Sequence, residues 1–198
     1  MATQTPFPWY EIVPPGAPLE QGDFLNDYPI PIIPTELAEL ASASEGARLD
    51  STIPVKRYNL VVLTQSCDIP KLTDDDDLLL CPREDYEQVS AADSNLAGES
   101  GWSHLVKGHV ISLHIISESP LAGHSFPYQV IYLRKIFASR MGVAKAHALN
   151  QGPRVRLRPP YREHLGQAFA RQFMRVGLPE DLPRENPYLR RLTPTSRP

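Results

Sequence analysis

Eight of the 21 prolines fall within the first 34 residues, at positions 6, 8, 14, 15, 18, 29, 31 and 34. Proline lacks the amide donor that a helix or a central strand needs, so this stretch must run as an extended arm with short edge strands. Trp9 and Tyr10 supply apolar anchors for that arm. Gly22-Asp23-Phe24 then reads as a turn entering a strand, because Gly and Asp punctuate the chain and Phe begins an alternating run.

Downstream, Leu60-Val61-Val62-Leu63 is a short apolar run suited to a strand buried on both faces. Leu78-Leu79-Leu80-Cys81 is its returning partner, and Asp74 to Asp77 form a solvated four-carboxylate tip between the two. Two further strands are predicted over His109 to Ile116 and Tyr128 to Phe137. Short helices are predicted over Thr35 to Ala43 and around Trp102, Leu105 and Val106, the latter ended by Gly108, while Met141 to Ala148 is ambiguous. Arg154-Val155-Arg156-Leu157-Arg158 alternates strictly, the pattern of a half-exposed strand with a basic outer face.

The strongest single element comes near the end. At about 100° per residue, Tyr161, Leu165, Ala168, Phe169, Phe173 and Val176 share one arc of a helix spanning Pro160 to Val176. Pro159-Pro160 suits its first turn, and Gly177-Leu178-Pro179 suits its exit. Met174 falls on the opposite face as an exposed apolar group. The class that follows is α+β, mainly β: a small antiparallel barrel closed by a packed C-terminal amphipathic helix. One globular domain spans 1–182 with its Pro-rich arm over 1–34, and 183–198 form a polar, Arg-rich tail.

The net charge of −3 conceals a split. Residues 1–149 carry 10 basic against 19 acidic groups, a balance of −9, whereas residues 150–198 carry 10 against 4, a balance of +6. All ten of the latter cations are arginines, whose planar forks suit phosphate and carboxylate. Arg154, Arg156, Arg158, Arg162, Arg171 and Arg175 are therefore candidate partner-binding residues for an anionic partner. The alternative is intramolecular, with the basic end lying against the acidic body.

Chemistry has fewer footholds. Thr64-Gln65-Ser66-Cys67-Asp68 lies just beyond the strongest strand, where a nucleophilic Cys67 would need His109, His114, His124 or Arg57 beside it. The plainer reading makes Cys67 and Cys81 small buried residues, with Ser66 and Asp68 capping a turn. The chain contains no C-x-x-C or H-x-x-x-H pair, no phosphate-cradling glycine loop and no G-x-S-x-G, so neither metal nor cofactor is expected. No run approaches the ~18 apolar residues of a membrane helix, and the N-terminus has no secretory pattern, so the chain reads as cytoplasmic with no membrane partner.

The stretch Lys56-Arg57-Tyr58-Asn59-Leu60-Val61-Val62-Leu63-Thr64-Gln65 resembles the early core of MazF/PemK-type plasmid-maintenance toxins. Gln21-Gly22-Asp23-Phe24 is similar to the family's first strand, and Gln129 to Arg140 to a later one. The resemblance covers about half the chain, with Tyr58 standing where the family has proline. It implies an SH3-like barrel, a bacterial or phage conflict setting, and RNA as a ligand. It also implies a catalytic role for Arg57, with Thr64 or Ser66 as hydroxyl partner.

Three functions compete on these residues. The first is a non-catalytic accessory module docking a larger, co-encoded protein in a toxin–antitoxin or phage-defence setting. The second is a MazF-like endoribonuclease using Arg57, Thr64 and Cys67. The third is nucleic-acid binding through the C-terminal arginines without chemistry.

Overall fold

A computed structural model describes residues 8–33 and 52–174. These contain eight strands, all paired antiparallel, and four α-helices, a mixed α/β architecture. Strands β1 (Tyr10–Val13), β2 (Phe24–Pro31), β3 (Val55–Val62) and β4 (Asp77–Asp85) come first, followed by α1 (Tyr86–Ala92) and α2 (Gly98–Val106). Then come β5 (Leu113–Ile116), β6 (Gln129–Tyr132), β7 (Phe137–Arg140), α3 (Met141–Gln151), β8 (Arg154–Leu157) and α4 (Tyr161–Phe173).

The main sheet runs β2-β3-β4-β6-β5, with β7 also paired to β4. The expected hairpin is present, with Val61 opposite Cys81 and Val62 opposite Leu80. Its apolar run is buried on both faces, as the absence of polar alternation requires. Leu60 and Val62 enter one core beneath α3, and Val61 and Leu63 enter a second beneath α4. The acidic tip holds the start of α3 in place. Met141 and Gly142 N–H donate to the carbonyls of Asp76 and Asp74, and Lys145 pairs with Asp74 at 2.7 Å. Backbone carbonyls of the acidic tip thus satisfy the first amides of α3, and the ambiguous 141–148 segment is helix.

A second, two-stranded ribbon pairs β1 with β8. It joins the main sheet at Gly22, whose N–H donates to Val62 at 2.9 Å and whose carbonyl accepts from Leu157 at 3.0 Å. Gly22 has φ +86°, and a Cβ there would lie 2.8 Å from the Leu157 Cβ, so only glycine fits this junction. At the far side the path ends at β5, so among the described residues the sheet does not close into a barrel.

Several expectations shift. The strand predicted from His109 begins only at Leu113, because His109 and Val110 form a turn after α2. The one predicted over Tyr128 to Phe137 divides into β6 and β7. The arm behaves as expected, with β2 on the sheet edge, Tyr10 buried, and Trp9 stacked on Tyr161 at 3.6 Å. Leu165 anchors α4 in the second core, and Met174 is 78% exposed. The 35–43 helix, the glycine exit of the last helix and the 183–198 tail lie outside the described residues.

The largest correction concerns β8. Its four residues are all buried, not half-exposed. Arg154 and Arg156 turn inward onto Asp23, itself fully buried; Arg154 Nε donates to Asp23 Oδ2 at 2.8 Å, and the Arg156 fork grips both carboxylate oxygens. Arg154 also donates to the Ala17 and Pro18 carbonyls at 2.9 and 2.8 Å, and Arg156 to Glu20 at 2.7 Å. The basic end folds against the acidic arm because buried charges are tolerated only when paired and fully hydrogen-bonded.

Candidate functional site

The residues singled out for catalysis do not meet. Arg57 lies on β3, exposed, where Nη1 donates to both the carbonyl and Oδ2 of Asp27 at 3.0 Å. Thr64 follows the other end of that strand, roughly 20 Å away at the ~3.3 Å rise of extended chain. Its hydroxyl accepts from Leu79 N–H at 2.8 Å, a fastening of the β3–β4 hairpin. Ser66 is likewise engaged, accepting from Gln21 N–H at 3.2 Å, and the Gln21 amide donates to Leu63 at 3.0 Å. The polar segment after β3 therefore secures the turn before β2.

Cys67 is exposed, which corrects its reading as a buried residue, and its sulfur meets Gln65 Oε1 at 3.6 Å. A charged neighbour is Lys71, held by Asp68 at 2.8 Å. Cys81 is buried as expected, and burial pushes its thiol up to about 12, so it stays protonated. Among the described residues no group of three potential metal ligands comes together.

The six candidate partner-binding arginines separate into different environments. Arg154 and Arg156 belong to the ionic core around Asp23. Arg162 is held by Glu20 at 2.8 Å and Glu163 at 3.3 Å. Arg158 and Arg171 are exposed and pair with no carboxylate among the described residues, and Arg175 lies outside them.

Arg171 lines a groove of about 630 Å³ between α2, β5 and α4. Each wall follows from a simple periodicity. Along α4, His164, Gln167, Ala168 and Arg171 recur at the i, i+3, i+4, i+7 spacing of one helix face, beside the Leu165 face that enters the core. Along α2, Trp102, Leu105 and Val106 do the same. Gly108, at φ +67°, ends α2 as the sequence predicts. The Arg171 guanidinium reaches across to this glycine, 3.4 Å from where a Cβ would sit, placing a cation at the negative end of α2.

The floor and ends are aromatic and basic. Trp9 and Tyr161 stack nearly parallel at one end, and Trp102 meets Tyr128 edge-on at 4.9 Å at the other. His114 projects from β5; burial pushes its imidazole down to about 4, with His164 and Arg171 adding to the effect. It is neutral at pH 7. The charges of the groove are Lys107 and Arg171, and no carboxylate lines it among the described residues.

Of these groups Arg171 is a sequence-predicted partner-binding residue, while His114 is predicted only as a possible neighbour of Cys67. The helical face of α4 carrying His164 and Arg171 is legible in the sequence, but its meeting with Trp9, Lys107 and His114 depends on long-range topology. Comparison with protein-family models, curated proteins and solved structures finds no match.

Proposed function

We propose that this protein is a non-catalytic docking module that takes an acidic segment of a larger protein partner into the groove between α2, β5 and α4. The observation that carries the reading is charge. In a chain whose acidic groups outnumber its basic ones, this groove holds Lys107 and Arg171 and no carboxylate among the described residues. Tryptophan, tyrosine and arginine are also the side chains that dominate binding energy at protein interfaces. A co-encoded partner in a toxin–antitoxin or phage-defence setting fits such an accessory role.

A nucleic-acid partner is less well supported. Arg154 and Arg156, which an exposed basic strand would have offered to phosphates, are occupied by Asp23. A MazF-like endoribonuclease would have to work without the proposed meeting of Arg57, Thr64 and Cys67. The SH3-like barrel of that family belongs with this alternative. Its support is β4, which pairs with β3 and β7 along its first part and with β6 along its last, as strands at barrel corners do.

The test is selection of a random 12-residue peptide library on the immobilised full chain, with the winners measured by fluorescence anisotropy. The expected winners carry net negative charge and lose at least tenfold in affinity to Arg171→Glu. Winners without negative charge, or unchanged binding to Arg171→Glu, overturn the docking reading. RNA cleavage by wild type that is abolished in Arg57→Ala would establish the nuclease in its place.

A further inference from the structure

Resting on the docking reading, we propose that the acidic segment binds as an added β-strand on the open edge of β5. The groove is lined by four consecutive residues, His114, Ile115, Ile116 and Ser117. Side chains alternate across a strand, so one face could contribute only every second residue. Four in succession mean that β5 presents its edge to the groove.

The hydrogen-bond parity of β5 shows which groups that edge offers. Leu133 N–H donates to the Ser112 carbonyl at 2.9 Å, and His114 and Ile116 stand opposite Ile131 and Gln129. In an antiparallel ladder the bonded pairs alternate, so residues 112, 114 and 116 direct their backbone groups to β6, while 113, 115 and 117 direct theirs outward. The next ladder agrees, since Tyr86 N–H donates to Tyr128 and so assigns the even residues of β6 to β4. On the outward side Leu113 N–H is bonded to Val110, and the Ser117 carbonyl accepts from the Tyr10 hydroxyl at 2.5 Å. The N–H and carbonyl of Ile115 remain between these two, with the Leu113 carbonyl and the Ser117 N–H beside them, all with no hydrogen-bond partner among the described residues.

This edge also marks one end of the whole strand path. The path runs from β5 through β6, β4, β3 and β2, then by the Gly22 junction to β8 and β1. Its two ends approach each other where Tyr10 of β1 reaches Ser117 just past β5. The groove, with Trp9 at one end and β5 along its side, lies at this unclosed seam. An incoming strand would pair with Ile115, while Lys107 and Arg171 would meet its acidic side chains and the aromatic ends its apolar ones. Backbone pairing then supplies affinity, and the flanking charges supply selectivity.

The experiment uses an acidic peptide from the selection above, N-methylated at one amide at a time and titrated against the wild-type chain. Strand addition predicts losses of roughly tenfold at alternate residues only, because every second amide faces the protein. Ile115→Pro removes the outward N–H without touching the β5–β6 ladder and is expected to weaken binding by a similar factor. The peptide scan stands by itself if that variant does not fold. Tolerance of N-methylation throughout, or losses spaced three and four apart as for a helix in a groove, overturns strand addition and leaves the docking reading intact. Failure of the library to yield any acidic binder, or preferential binding of a single-stranded uridine oligonucleotide that displaces the peptide, overturns both.

Discussion

Arg154 and Arg171 are 17 residues apart and chemically identical, yet the fold uses them in opposite ways. Arg154 is fully buried, with Asp23 and the carbonyls of the proline-rich arm around its guanidinium. Arg171 stands exposed over Gly108 at the mouth of an aromatic groove, with no carboxylate of the described residues paired to it. Among the described residues, the basic C-terminal quarter therefore holds two populations. One neutralises the acidic arm and fastens β8 to it, and the other is left for something outside the chain. What an arginine does is set by the partner that topology brings to it.

The contrast breaks first, and most visibly, at Asp23. Its removal by Asp23→Ala leaves Arg154 buried without a counter-charge and Arg156 with Glu20 alone, and the expected destabilisation is about 3–5 kcal/mol in urea unfolding. A cost below about 1 kcal/mol would mean that the ionic core is dispensable and would return those arginines to the pool of binding candidates.

The next effect concerns how dry the groove is. Because burial lowers His114 from its ordinary value to about 4, the unfolded chain binds a proton below about 6.5 that the native chain refuses until pH 4. Stability is thus fully present above pH 6.5 and is lost as pH falls through that window, by on the order of 2 kcal/mol. His114→Asn should flatten this slope between pH 7 and 4.5. An identical slope in both proteins would show that the wall of the groove is hydrated.

A smaller change is expected at Arg171. Substitution by glutamate should leave the unfolding midpoint within about 0.5 kcal/mol, as for exposed side chains generally. Comparing the unfolding curves of Arg171→Glu and Asp23→Ala measures the contrast directly. Arg57→Ala should likewise cost little, since its pair with Asp27 is exposed and such pairs contribute under about 1 kcal/mol. Peptide binding should be unaffected, and a large loss there would restore Arg57 to the functional site.

Much of this fold is legible in the residues. The apolar run at Leu60 to Leu63, its partner at Leu78 to Cys81, the turn at Gly22 and the core face of α4 are each carried by local periodicity or punctuation. The misreading of β8 has a specific cause. Alternating arginine and aliphatic residues normally mean one wet face, but here the polar face meets Asp23, more than 130 positions earlier in the chain. A buried Cys67 follows from residue habit alone, whereas its exposure follows from a turn whose polar neighbours Thr64 and Ser66 are engaged elsewhere. The groove lies further from the sequence still: helical spacing reveals the Trp102 and His164 faces, but only the end of the sheet at β5 sets them opposite each other.

The central claim is that the groove beside β5 is the docking surface, and amide shift mapping of the ¹⁵N-labelled chain with a selected acidic peptide tests it most directly. The largest shifts are expected on Ile115, on Lys107 and Gly108, and on the His164 to Arg171 face of α4. Shifts centred instead on Arg57 and Asp27, or on the apolar hollow between Leu19 and Leu149, would contradict it.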